Sequence, residues 1–137
     1  MNAVFADSFY YIALLNPDDS AHEIAVRHTE ALSTPVVTTA WVLAEVADAL
    51  CLPTRRQAVV ELIRVVRLGR GARLIPARQR QFERGFELFG RRGDKSWSLT
   101  DCISFVTMKE LGLRSALTAD RHFIQAGFKA LMTDEAP

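Results

Sequence analysis

The sequence has 137 residues, with 17 lysines and arginines against 16 aspartates and glutamates, so the formal net charge is only +1. That length suits one compact domain over 1–137, whose core needs neither disulfides nor structural zinc. The charge balance argues against a nucleic-acid coating protein, whose affinity rests on a large basic excess. Ordinary apolar content excludes a disordered or fibrous chain, and no apolar run approaches the roughly 20 residues that span a bilayer.

In chain order, residues 3–6 read as a short buried strand running straight into Asp7-Ser8. Residues 9–15 are apolar on successive helical turns and stop at Asn16-Pro17-Asp18-Asp19, a turn sequence. Ser20 is placed to cap a second helix to about residue 32. Val36-Val37-Thr38-Thr39 is a β-branched run and reads as a strand. Residues 40–50 return to helical periodicity, which Pro53 ends. A basic amphipathic helix follows from Arg56 to Leu68, then Gly69 and Gly71 break it before a third strand at 72–75.

Residues 78–89 read as helix, and the stretch from Gly90 to Gly93 as a polar loop. Ser98 or Thr100 is placed to cap a helix to about residue 111. A fourth strand at 115–118, a short helix at 121–126 and a last strand at 128–132 complete the chain. Strands alternating with helices predict an α/β fold around a mainly parallel sheet.

In such sheets, ligands bind beyond the carboxyl ends of the strands. Asp7 follows the first strand, Asp120 follows the fourth, and Asp101 opens a helix, so all three fall on that rim. Glu45 sits inside a helix with Val42, Val46 and Ala49 on a mainly apolar face. Each has a plainer reading: Asp7, Ser8 or Asp120 as a helix cap, Asp101 as favoured by the helix dipole, Glu45 in an arginine salt bridge. A single site explains all four at once. Converging carboxylates repel unless cations join them or their pKa values rise. An all-oxygen set suits hard ions such as Mg²⁺ or Mn²⁺ rather than zinc, and a sparse one leaves room for phosphate oxygens.

The sequence resembles PIN-domain nucleases, in particular the VapC-type toxins of type II toxin–antitoxin systems. The blocks that carry this are Val4-Phe5-Ala6-Asp7-Ser8, His22 with Ala25, Thr38-Thr39 leading to Glu45, and Ser98-Leu99-Thr100-Asp101-Cys102-Ile103-Ser104-Phe105. Leu117-Thr118-Ala119-Asp120-Arg121-His122-Phe123 and Gly127-Phe128 complete the ordered set. The resemblance implies a three-layer α/β/α sandwich and metal-dependent endoribonuclease activity with Mg²⁺ or Mn²⁺. It maps the acidic metal positions onto Asp7, Glu45, Asp101 and Asp120, with Ser8 and Thr100 as supporting hydroxyls. It also implies a small antitoxin partner, and homodimerisation by analogy. Residues 52–95 carry no recognisable family block.

For RNA contact, Arg91, Arg92 and Lys95 in the polar loop are the basic candidates, against a plain solvated loop. Trp41 and Trp97 read as packing residues rather than base-stacking ones. His22, His28 and His122 show no zinc spacing and read as structural or surface residues. Cys51 and Cys102 read as buried, reduced thiols, which suits a cytoplasmic protein. The apolar opening is too short, and lacks the basic start, for a signal peptide. A receiver domain would need an acidic pair after the first strand, but Ser8 follows Asp7. An Asp-x-Asp phosphatase fails because Phe9 occupies the second position. The remaining alternative is a PIN-like binding module for RNA or protein with little catalysis.

Overall fold

The computed structural model describes residues 2–133. Its elements are β1 (Val4–Ala6), α1 (Ser8–Leu15), α2 (His22–Ala31), β2 (Val36–Thr39), α3 (Ala40–Ala49) and α4 (Pro53–Arg67). They continue with β3 (Arg73–Ile75), α5 (Gln79–Arg91), α6 (Leu99–Glu110), β4 (Ser115–Leu117), α7 (Arg121–Gln125) and β5 (Lys129–Ala130). The strands form one sheet in the order β3-β2-β1-β4-β5. Every pairing is parallel, with Phe5 opposite both Val37 and Ala116. The sheet is thus wholly rather than mainly parallel, because a helix separates every two successive strands and no tight hairpin turn is available. Sheet and helices make the three-layer α/β/α sandwich of the expected class.

The central strands bury both faces, which is why they read as near-continuous apolar or β-branched runs instead of alternating ones. All four residues of β2 are buried, and Phe5 and Leu117 are fully enclosed. Each such large side chain contributes about 1.5–3 kcal/mol relative to exposure. An aromatic column braces the β4 side of the core. Phe123 meets Phe105 edge to face at 4.9 Å, and Trp97 meets the same ring at 5.1 Å.

Helix α6 is the best-buried helix and carries Asp101 in its first turn. It ends at Gly112, whose φ of 68° allows the left-handed turn that returns the Leu113 N–H to the Met108 carbonyl. Helix α5 lies against it with Gly85 at the closest approach. A Cβ there would stand 2.3 Å from Ile103 Cγ1 and 3.0 Å from the Ile103 backbone.

Several boundaries differ from expectation. Helix α4 starts at Pro53, not Arg56, because proline at the first helical position needs no N–H partner and brings a preset φ. Ser20 does not cap α2; the N-cap is Ala21, with no side-chain cap bond, and the Asp19 carboxylate holds the preceding turn by accepting the Ala21 N–H at 2.8 Å. Helix α5 runs through Gly90 to Arg91, supported by the Glu87–Arg91 pair and closed by the Arg92 N–H on the Leu88 carbonyl. Cys51 is exposed, since it lies in the short α3–α4 connection, whereas Cys102 is buried.

Candidate active site

From β1 the chain adds β2 and β3 on one side, then crosses to add β4 and β5 on the other. The segments leaving β1 and β4 therefore diverge and open a crevice at their carboxyl ends. Asp7 leaves β1 at the N-cap of α1, and Asp120 is the N-cap of α7 beyond β4. Asp101 enters from the first turn of α6 and Glu45 from the middle of α3. Together with Ser8, Phe9, Ile12, Ser96, Ser98 and His122 they line an open cleft of about 360 Å³.

Hydrogen bonds fix these side chains individually. The Thr118 hydroxyl, fully buried at the end of β4, donates to Asp7 Oδ2 at 2.8 Å and accepts the Asp120 N–H at 3.0 Å. One hydroxyl therefore ties two of the carboxylates together. Ser8 donates to Glu45 Oε1. Asp101 and Ser98 form a reciprocal cap, each accepting the other's backbone N–H. Asp120 Oδ1 accepts the His122 N–H at 2.8 Å.

The electrostatics are those of an unneutralised acidic centre. Burial pushes Asp7 up to about 7, partly offset by the Thr118 hydrogen bond and reinforced by Asp101 and Glu45. Burial also raises Glu45, against the hydrogen bond from Ser8, and Asp101 and Asp120 add to it. Asp101 is raised by burial first, with His122 and Ser98 acting the other way. Among the described residues, no lysine or arginine nitrogen lies within 4.0 Å of any of the four carboxylates. The arginine salt bridge considered for Glu45 is therefore absent there. A hard-oxygen donor set, crowded and with no lysine or arginine against it among the described residues, fits a divalent cation.

The other expected residues fall differently. Ser8 is at the cleft, but Thr100 is not; Ser98 caps α6, and Thr100 makes no side-chain hydrogen bond among the described residues. Arg91 belongs to α5 rather than to a loop, and Arg92 caps that helix. Arg92 forms a two-pronged pair with Asp94 at 2.9 and 3.0 Å and lies 5.1 Å over the Trp97 ring. Arg91 and Arg92 line a second, smaller hollow with Trp97, Lys109 and Gln125, next to the cleft but not in it. Trp97 packs in the core as expected, its indole N–H donating to Gln125 at 3.1 Å. Trp41 stacks obliquely on Phe82.

His122 was missed. It is neither remote nor purely a surface residue, because its Nδ1 lies 3.0 Å from Asp101 Oδ2 and 3.5 Å from Asp120 Oδ1. The signal was the spacing from Asp120 itself: two residues beyond an N-cap, a side chain starts the same turn that the cap closes. Thr118 was also passed over as an ordinary strand residue.

A parallel α/β sheet with a carboxylate-lined cleft at its switch point defines a small metal-site domain. Residues 4–129 match the PIN domain, and the chain belongs to that family. It is 28% identical over 125 residues to the 23S rRNA-specific endonuclease VapC20 of Mycobacterium tuberculosis, covering 91% of this chain and 95% of that protein. The fold also matches the crystal structure of M. tuberculosis VapC20, a sarcin-ricin loop cleaving toxin. The TM-score is 0.84 and the identity 27%, over 91% of this chain and 95% of that one. FitAcB from Neisseria gonorrhoeae shares the fold at a TM-score of 0.67 and 18% identity, over 93% and 94% of the two chains.

Proposed function

We propose that this chain is a metal-dependent endoribonuclease, the toxin of a toxin–antitoxin pair, which hydrolyses RNA phosphodiester bonds at the cleft of Asp7, Glu45, Asp101 and Asp120. The observation that carries this is the convergence of four carboxylates on one cleft, three of them with raised pKa values and none paired with a lysine or arginine among the described residues. Such a cluster gains free energy from a divalent cation, and a cation in an open cleft accepts phosphate oxygens. The likeness to a 23S rRNA-specific endonuclease supports structured ribosomal RNA as the substrate class. A small antitoxin partner, a homodimer and a cytoplasmic location go with that reading; no helix among the described residues is long and apolar enough to cross a membrane.

Asp7, Asp101 and Asp120 would hold the ion, Mg²⁺ or Mn²⁺. When bound, the ion supplies Lewis-acid polarisation of the scissile phosphate and favours deprotonation of water. Thr118 keeps Asp7 and the start of the Asp120 turn in register. Glu45, its carboxylate oriented by Ser8, accepts a proton from the attacking water. Arg91, Arg92 and Lys95 contact RNA phosphates flanking the scissile bond, outside the cleft.

The test is cleavage of end-labelled structured RNA with Mg²⁺, Mn²⁺ or EDTA, by wild type and Asp101→Asn. Cuts that need metal, leave 5′-phosphate and 3′-hydroxyl ends and vanish in the variant are expected. Ends carrying 2′,3′-cyclic phosphate, or full activity in Asp101→Asn, would overturn the reading.

A further inference from the structure

We propose that His122 Nδ1 is a protein ligand to the ion held by Asp101 and Asp120, and that this nitrogen makes the position prefer first-row transition ions over Mg²⁺. The inference rests on the metal-site reading of the cleft and adds to it a donor of a different kind. The two distances from Nδ1, 3.0 Å to Asp101 Oδ2 and 3.5 Å to Asp120 Oδ1, suit neighbouring positions around one ion. Donors at about 2.1 Å from an octahedral ion stand roughly 3 Å apart when adjacent. Aspartates 101 and 120 and His122 each present one donor atom, all within 4.8 Å of one another.

The alternatives for that nitrogen are poorer. As a hydrogen-bond donor Nδ1 serves one carboxylate well and leaves the other at 3.5 Å. As a lone pair without an ion it would face two carboxylate oxygens, which is repulsive. One cation satisfies all three groups together. The other imidazoles lie away from the cleft: His22 Nδ1 is 2.8 Å from the Ala13 carbonyl, and His28 is buried in α2. His122 is held in place by its own backbone, because its N–H is the donor that caps Asp120. Coordination therefore asks for little rearrangement of α7.

Imidazole nitrogen is a softer donor than carboxylate oxygen. Mg²⁺ dehydrates reluctantly and favours oxygen, whereas later first-row ions accept imidazole readily. A mixed nitrogen–oxygen set thus separates ions that an all-carboxylate site treats alike.

The experiment is Mn²⁺ electron paramagnetic resonance with pulsed detection of ¹⁴N coupling, alongside Mg²⁺ and Mn²⁺ titrations by calorimetry, on wild type and His122→Asn. In wild type, an imidazole nitrogen coupling is expected. In the variant the coupling disappears and Mn²⁺ affinity falls about tenfold or more, the scale on which groups around metal sites act, while Mg²⁺ affinity changes less than about threefold. Wild type that binds Mn²⁺ without nitrogen coupling overturns the inference and leaves the nuclease reading standing, and this readout needs no variant to fold. Equal losses for both ions in the variant also overturn it. Wild type that binds neither ion overturns both.

Discussion

Replacing Asp7 with asparagine should make the ion-free protein more stable while removing its activity. The Asp7 carboxyl moves from an ordinary 3.8 to about 7 on folding, chiefly through burial, and the residue is only 3% exposed, so solvent screens little of the effect. The folded state therefore holds a proton more tightly than the unfolded chain does. That contribution is full below pH 3.8, where both states are protonated, and is lost as the pH rises through about 7. A shift of about three units corresponds to about 4 kcal/mol. Relaxation, and the new amide N–H group in the variant, reduce the gain to on the order of 2–4 kcal/mol. At roughly 4 °C per kcal/mol for a domain of this size, Asp7→Asn should melt some 8–16 °C higher at pH 8 in EDTA. The gap should shrink to about a quarter at pH 4.5, and Mn²⁺ should stabilise wild type far more than the variant. Circular dichroism melts at the two pH values measure all of this. A variant that melts at or below wild type at pH 8 in EDTA, or with the same gap at both pH values, would refute the reasoning.

Gly85→Ala should destabilise by about 1–3 kcal/mol, since overpacking against the Ile103 backbone outweighs the helix-propensity gain of about 1 kcal/mol. Gly90→Ala in the same helix meets open space and should be neutral or stabilising by up to about 1 kcal/mol; urea midpoints compare the two. Thr118→Val keeps the shape but strips Asp7 of a donor and leaves the Asp120 N–H unpaired. It should cost about 1–3 kcal/mol and at least tenfold in cleavage, with Thr118→Ser restoring most of both. A thiol reagent should label Cys51 in the native protein and Cys102 only after unfolding, because burial and Asp101 push the Cys102 thiol up to about 11. Rapid native labelling of Cys102, read by mass spectrometry, would contradict the burial of α6.

Much of the fold was legible because local and tertiary demands coincide. The β-branched run at 36–39 is a strand buried on both faces, and the acids that follow strands sit at the carboxyl edge of the sheet. The misreadings have local causes. Pro53 was taken only as a stop signal, though it equally opens a helix, and Gly90 as a breaker, though a glycine with φ in the ordinary range continues one. The supporting shell was harder to see. Thr118 meets Asp7 across 111 residues, and His122 meets Asp101 across 21. No periodicity encodes such meetings; they follow from β4 pairing beside β1. The extent of the basic loop was misread for a similar reason, since α5 runs on to Arg91 and Arg92 is tied to Asp94 and the Trp97 ring.

The strand order also bears on when the site comes into being. Because β1 lies between β2 and β4, the chain must synthesise and fold a long intervening stretch before β4 can dock and bring Asp120 and His122 to Asp7. Closing so long a loop is entropically costly and therefore late among folding events. Until then Asp7 and Glu45 have no acidic partner from α7 beside them. A chain halted before Ser115 holds fragments of a binding site and no means of gripping an ion between them. Refolding should accordingly restore helical content first and ion affinity last.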